Sequence, residues 1–154
     1  MVHLSGTNEN WRKRYKQRRI VLDIMINFSS WKEYSPAFLR IGMGLVFLWF
    51  GSNQLINPED WIGYLPSFLL GVARPELFMY GNGTLEVVLG VCLVAGLFVR
   101  LSAVILALHL IGIISSLGYN AVAVRDFGLM MATIVVALNG SDQFCLSEKM
   151  KKKN

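Results

Sequence analysis

The sequence predicts an all-α protein, a polytopic membrane four-helix bundle that is preceded by an amphipathic helix at the membrane interface. Of its 154 residues, 54% are hydrophobic and only 16% are charged, whereas a soluble domain has about 45–50% apolar and about 25% charged residues. Several apolar runs approach the ~20 residues that a membrane-spanning helix needs. Basic residues cluster at both ends of the chain, which is typical of segments that face a membrane surface.

Residues 1–35 are predicted to form a basic, amphipathic, cytoplasmic segment. Six of the 15 Lys and Arg residues lie in the run "RKRYKQRR" at positions 12–19. Between Ile20 and Trp31, apolar residues recur on roughly one side of a helix, as in helices that lie in the membrane interface. Basic runs beside long apolar segments indicate an anionic lipid surface as the partner. We therefore expect contact with the lipid bilayer and no binding of nucleic acid.

The first span is predicted over residues 36–56, "PAFLRIGMGLVFLWFGSNQLI". Ser35 followed by Pro36 is typical of a helix start, with a capping hydroxyl and a proline at the first helical position. Asn57 and Pro58 are expected to end the helix. Residues 57–83 then form the external loop, in which "DWIGYLPSFLLGV" predicts an interfacial or re-entrant helix rather than a fifth span, because Pro66 interrupts it.

Residues 85–118 form one apolar run that is too long for a single span. As one helix it would reach about 50 Å, whereas the hydrocarbon core is ~30 Å thick. We expect two helices, at 84–98 and 102–118, joined by a tight turn at Arg100. A fourth span is predicted at 121–139, so that residues 36–141 form one domain, followed by a basic cytoplasmic tail at 142–154.

The distribution of Lys and Arg predicts the orientation of the bundle in the cell membrane. With four spans, nearly all basic residues fall on the side of the two chain ends, and the other side carries Arg74 and Arg125. Cytoplasmic loops of membrane proteins carry an excess of Lys and Arg. Both termini are therefore expected in the cytoplasm, which requires an even number of spans.

Polar residues inside the predicted spans are expected to face the bundle interior, because they are costly in hydrocarbon. In the first span, a helical stepping of four and three residues joins Arg40, Gly44, Phe47, Gly51 and Gln54 on one face. Alternating helix directions bring the polar residues of three spans to one external level. The expected polar cluster consists of Asn53, Gln54, Glu86, Arg125 and Asp126.

Two interpretations of these residues stay open. In one, Arg125 pairs with Glu86 as a buried ion pair that orients the helices, and His109 bonds to a backbone group or a hydroxyl. In the other, an outward-opening pocket lets Glu86, Asp126 and His109 exchange protons with a ligand. Arg40 and Arg100 are expected to be structural. Neither the acids and His109 nor the two cysteines show the spacing of a metal site.

Three segments resemble the DoxX family of small four-helix membrane proteins: "RIGMGLVFLWFGSNQLINP" (40–58), "LEVVLGVCLVAGLFVRLSAVILAL" (85–108) and "RDFGLMMATIVVAL" (125–138). The resemblance implies a role in membrane redox chemistry, since DoxX-like proteins are linked to thiol-handling and oxidative-stress systems. The related DoxD resembles a subunit of a thiosulfate:quinone oxidoreductase. The positions that match the family pattern are Arg40, Glu86, Arg100, Arg125 and Asp126.

Three functions follow as hypotheses. The first is an accessory or quinone-interacting subunit of a membrane redox system, which would bind quinone or dock an electron-carrying protein, because the sequence has no flavin, haem, iron–sulfur or metal signature. The second is a non-catalytic scaffold, self-associating or recruiting a cytoplasmic partner through the basic N-terminus. The third is a pathway for a small solute or protons. The sequence does not decide between catalytic and non-catalytic roles.

Overall fold

The computed structural model describes residues 5–66, 69, 71 and 74–151, with the side chains of 5–10, 21–31, 149 and 151 left aside. Five α-helices and one 3-10 helix form, and no strand occurs in this part of the chain. The helices are listed here in chain order: α1 (Ser5–Ile56), the 3-10 helix (Pro58–Tyr64), α2 (Glu76–Ala95), α3 (Val99–Leu117), α4 (Ala121–Asn139) and α5 (Leu146–Lys151).

Four helical segments of this described chain are long and apolar enough to cross a membrane, namely Lys32–Ile56, Glu76–Ala95, Val99–Leu117 and Ala121–Asn139. The prediction of an all-α, four-span membrane protein is thereby confirmed. Large apolar side chains remain exposed on the outside of these helices, such as Phe38 at 84% and Leu138 at 74%. Such exposure suits a surface that contacts lipid and would be unusual on a soluble protein.

The chain divides into two compact units at Ser35 and Pro36. In the N-terminal unit the side chains of residues 11–20 are all exposed, and the guanidinium of Arg14 lies 5.3 Å from the centre of the Trp11 ring. The basic run is therefore available to a surface or a partner. The apolar side chains of 21–31, which the sequence places on an interfacial face, lie outside the described side chains.

The predicted start of the first helix at Pro36 is wrong, because α1 begins at Ser5 and contains Pro36 in its interior. Proline lacks one backbone N–H and so removes a single intrahelical hydrogen bond, and that loss does not end this helix. The predicted ends at Ile56 and Asn139 and the predicted start of α4 at Ala121 agree with the structure.

The turn between the second and third spans lies at residues 96–98, not at Arg100. Gly96 and Phe98 both have left-handed backbone angles, with φ of 73° and 46°. Gly96 adopts this conformation without steric cost and ends α2, so that Arg100 falls in the first turn of α3. At the other end, α2 begins at Glu76, about two turns before the predicted residue 84, so the loop predicted at 57–83 is correspondingly shorter.

Four glycines bring the backbones of α1 and α2 into close contact. A Cβ atom placed on Gly51 would lie 2.7 Å from the carbonyl oxygen of Gly83, and one on Gly83 would lie 2.8 Å from that of Gly51. One heptad away, Gly44 and Gly90 meet in the same way, at 3.0 and 3.1 Å. The repeated pairing fixes an antiparallel register, since only residues without a Cβ allow this approach.

The interior between the helices is filled mainly by apolar side chains. Phe47, Leu93, Leu106 and Val136 are among the buried core residues. All five residues of the face predicted for the first span, from Arg40 to Gln54, are buried. The period of the sequence therefore identified the inner side of α1.

Arg40 is buried at the end of the bundle that lies opposite the 3-10 helix along α1. Its side chain is 2% exposed, and its Nε donates to Asp142 Oδ2 at 2.8 Å. Its Nη1 donates to the carbonyl oxygens of Leu93 and, at 3.0 Å, Val94, and its Nη2 donates to Asp142 Oδ1 at 3.4 Å. Asp142, which the sequence places in a separate tail, supplies the counter-charge from the chain that follows α4.

The segment after α4 also packs on the turn between α2 and α3. Cys145 is fully buried, and a Cβ on Gly96 would lie 2.6 Å from its Cα. The Ser147 hydroxyl donates to the Gly96 carbonyl at 3.0 Å. Arg100, predicted to be structural, lies against Gly140, where a Cβ would collide with its guanidinium. Residues 140–148 therefore close this end of the bundle, and burial raises the pKa of the Cys145 thiol.

We expect Gly51→Ala to destabilise the bundle by about 1–3 kcal/mol, because the added methyl group meets backbone that cannot rotate away. Gly42→Ala is the matched control on the same helix, since its Cβ would meet no atom within 4 Å. The measurement is the free energy of unfolding in detergent. Equal stabilities of the two variants would contradict the close approach of α1 and α2.

We expect Asp142→Asn to cost about 3–5 kcal/mol, because the buried guanidinium of Arg40 loses its counter-charge. Asp60→Asn, at an exposed position of the 3-10 helix, should leave the free energy of unfolding nearly unchanged. A small loss for both variants would show that the Arg40–Asp142 pair does not support the fold.

The Arg40–Asp142 pair also determines how the stability of the protein should depend on pH. Burial raises the pKa of Asp142, but hydrogen bonds from Arg40 and from the Phe144 N–H outweigh it, so the pKa lies below its ordinary value. The stabilisation is then complete above the unfolded-state pKa of about 3.9 and is lost as the pH falls through the lower folded-state pKa. Between pH 6 and pH 3, unfolding temperatures should fall further for the wild type than for Asp142→Asn.

Candidate functional site

Glu86, in the middle of α2, is the centre of a buried hydrogen-bond network. It is 3% exposed, and both of its carboxylate oxygens have partners. Gln54 Nε2 of α1 donates to Oε2 at 3.1 Å, and His109 Nε2 of α3 lies 3.3 Å from Oε1. One carboxylate thus joins three helices, as expected for a charge that must find its hydrogen bonds inside the protein.

Asn82 completes this network, although the sequence did not place it in the polar cluster. Its Nδ2 donates to Gln54 Oε1 at 2.6 Å and lies 3.5 Å from Glu86 Oε1. The sequence had placed Asn82 in a loop before the second span. With α2 beginning at Glu76, Asn82 lies one helical turn before Glu86 and on the same side. This four-residue spacing was the available signal, and the wrong helix start concealed it.

His109 has a different partner from the one expected under the structural interpretation. That interpretation bonded it to a backbone group or a hydroxyl, whereas the structure brings its Nε2 to the carboxylate of Glu86. Its side chain is 17% exposed, so the imidazole is accessible while Glu86 is not. A carboxylate and an imidazole in contact form a pair through which a proton can move.

Arg125 does not pair with Glu86, and that prediction is wrong. Its Nε donates to the neighbouring Asp126 Oδ1 at 2.8 Å, and its guanidinium lies 4.9 Å from the centre of the Phe50 ring. Neighbouring positions on a helix diverge by about 100°, but the arginine side chain is long enough to turn back to the adjacent carboxylate. Arg125 is 47% exposed and Asp126 only 7%.

Asn53 is not part of the polar cluster. Its Nδ2 donates to the carbonyl oxygen of Trp49 at 2.7 Å, within its own helix. Gln54, the next residue, is buried and reaches Glu86. The helical period that places Gln54 on the inner face of α1 leaves Asn53 off that face, so the sequence already carried the signal that separates the two amides.

The network forms part of the wall of a cavity of about 750 Å³. Side chains from all four membrane-crossing helices and from the 3-10 helix surround it. Much of the wall is aromatic or aliphatic, with Phe47, Phe50, Trp61, Tyr64, Phe78 and Leu110 among the lining residues. The polar side chains of the wall include Gln54, Asn82, Glu86, His109, Arg125 and Asp126.

The arrangement suits a small, largely apolar molecule that carries a few polar atoms. Ligand sites of about 300–1,000 Å³ with apolar walls and few polar groups are typical of small-molecule binding. Within the described part of the chain, no three or more His, Cys, Asp and Glu residues are grouped to hold a metal ion. The polar groups on the wall can form hydrogen bonds, and the contact between Glu86 and His109 allows proton exchange.

Comparison with known families identifies a relationship for this chain. The family model described as DoxX matches residues 35–124, more than half of the chain, and this is the family that the sequence motifs resemble. The match includes Arg40, Gln54, Glu86 and His109, and it ends before Arg125. No curated protein and no solved structure matches the chain.

Proposed function

The chain belongs to the DoxX family, and we propose that this integral membrane protein is a quinone-interacting subunit of a membrane redox system. The observation that carries the proposal is the contact between the buried carboxylate of Glu86 and His109 on the wall of a 750 Å³ cavity. A purely structural ion pair needs no space beside it. A ligand that exchanges protons needs both an open volume and a group that can hold the proton.

The apolar part of the wall supports a flat, lipophilic ligand. Phe47 is buried between the helices, and Phe50 and Trp61 pack edge to face with ring centres 5.7 Å apart. Aromatic side chains bury large areas against a planar ring. A quinone offers such a ring together with two oxygen atoms at opposite ends, which matches an apolar cavity with polar groups on its wall.

Quinone reduction requires two electrons and two protons. We infer that two different proteins supply them. Glu86 and His109 would hold and transfer protons at the ligand oxygens. The electrons would come from a partner that carries the cofactor, in keeping with an accessory role in thiol, sulfur or oxidative-stress chemistry. With both termini in the cytoplasm of the cell, as the basic residues favour, the cavity would lie near the external face.

A second candidate function is recruitment of a cytoplasmic partner by the N-terminal unit. It is favoured by the exposure of every side chain in residues 11–20, which carry six basic groups. Deleting residues 1–32 should abolish co-purification of such a partner while quinone retention persists. A partner that stays bound to the truncated protein would exclude this role for the basic run.

We expect Gly112→Phe to reduce the quinone that co-purifies with the protein by about tenfold or more, because the new ring would occupy the ligand volume. Gly112 lines the cavity, and a Cβ there would meet no atom within 4 Å, so the bundle should still fold. The measurement is extraction of gently purified protein followed by mass spectrometry for total quinone and quinol.

Gly128→Phe is the matched control for this variant. Gly128 also lies in a membrane-crossing helix with open space around its Cβ, but outside the cavity lining. It should retain as much quinone as the wild type. Wild-type protein that carries no quinone, or equal retention by both variants, would reject quinone binding in this cavity.

A further inference from the structure

The hydrogen bonds of the Glu86 network join its own side chains to one another. Asn82 donates to Gln54 and lies within hydrogen-bond distance of Glu86, and Gln54 donates to Glu86. His109 places Nε2 against the same carboxylate. An ionised carboxylate can accept about four hydrogen bonds, so Glu86 still has capacity for a further donor.

Two serines on α3 also donate their hydroxyl protons to groups of the protein itself. Ser115 Oγ donates to the carbonyl oxygen of Ile111 at 2.7 Å, and Ser116 Oγ donates to that of Ile113 at 2.8 Å. Both serines line the cavity. Since each hydroxyl has one proton and two lone pairs, what remains for a ligand is the acceptor side of the oxygen.

We propose that the cavity prefers the reduced, hydroxyl-bearing form of its ligand, the quinol, over the quinone. This inference rests on the proposed quinone-binding function and adds a selectivity to it. A quinone oxygen only accepts hydrogen bonds, so at Glu86 it would meet a second acceptor. A quinol oxygen carries a proton and can donate it to that carboxylate in a charge-assisted hydrogen bond.

Donors also occur on the cavity wall, but they belong to other elements. Arg125 lies in the first turns of α4, where its Nε donates to Asp126 and its guanidinium lies 4.9 Å from the centre of the Phe50 ring. Tyr64 and Trp61 lie on the 3-10 helix, and the centres of their rings are 5.6 Å apart. The selectivity therefore depends on the Glu86 side of the cavity.

The preference has a consequence for redox poise. If the quinol binds about tenfold more tightly than the quinone, the midpoint potential of the bound two-electron couple rises by about 30 mV. Bound quinone then becomes a better electron acceptor than free quinone. A raised midpoint potential suits a site at which a partner delivers electrons to the ligand.

The test compares three ligands that share one ring and one decyl chain: the quinone, the quinol, and the quinol with both hydroxyls methylated. Equilibrium binding is measured without oxygen on the full chain in lipid nanodiscs. We expect the quinol to bind about tenfold more tightly than the other two, as for one hydrogen bond to a charged group. The methylated quinol separates hydrogen bonding from ring shape, and this comparison needs no variant.

Glu86→Gln provides the second arm, because an amide can donate as well as accept a hydrogen bond. The ratio of quinol to quinone affinity should fall towards one, mainly through weaker quinol binding. Thr84→Ala is the control, since Thr84 is exposed on the same helix and donates to the Tyr80 carbonyl oxygen. Thr84→Ala should keep the wild-type ratio.

The outcomes distinguish a failure of the quinol preference from a failure of the proposed quinone binding. If quinone binds as tightly as quinol or more tightly, or if Glu86→Gln keeps the selectivity, the preference is wrong and quinone binding stands. If none of the three ligands binds, the proposed function fails together with the preference.

Discussion

A carboxylate inside a membrane bundle must take its hydrogen bonds from protein groups, because the surrounding hydrocarbon offers none. Glu86 meets this requirement with one amide from α1, a second amide from its own helix and the imidazole of α3. The constraint therefore ties three helices to a single point. It also explains why polar residues occur in segments that are otherwise suited to lipid.

The glycine contacts make this arrangement geometrically possible. Gln54 lies one turn after Gly51, and Asn82 directly precedes Gly83, where the two backbones approach most closely. Short amide side chains can then bridge from α1 to α2 within hydrogen-bond distance. If larger residues separated these helices, Gln54 would no longer reach the carboxylate, and Glu86 would be left buried with an unpaired oxygen, which costs free energy.

At the opposite end of the bundle another buried charge is stabilised, in this case by a counter-charge. Arg40 is buried there, and its counter-charge comes from Asp142, far along the chain. Asp142 lies beyond the residues that the DoxX family model matches, in the C-terminal segment that closes this end of the bundle. One end of the bundle is thus packed around an ion pair, and the other contains the cavity.

Local properties of the sequence determined the number of spans, the C-terminal end of α1, both ends of α4 and the inner face of α1, because hydropathy and helical period need no information about neighbours. They also selected Glu86, Gln54 and Asp126 as buried polar residues. Only the tertiary structure decided the partners: His109 for Glu86, Asp126 for Arg125, and Asp142 for Arg40. A pairing across helices depends on their register and rotation, and close backbone packing sets these only after the helices have met.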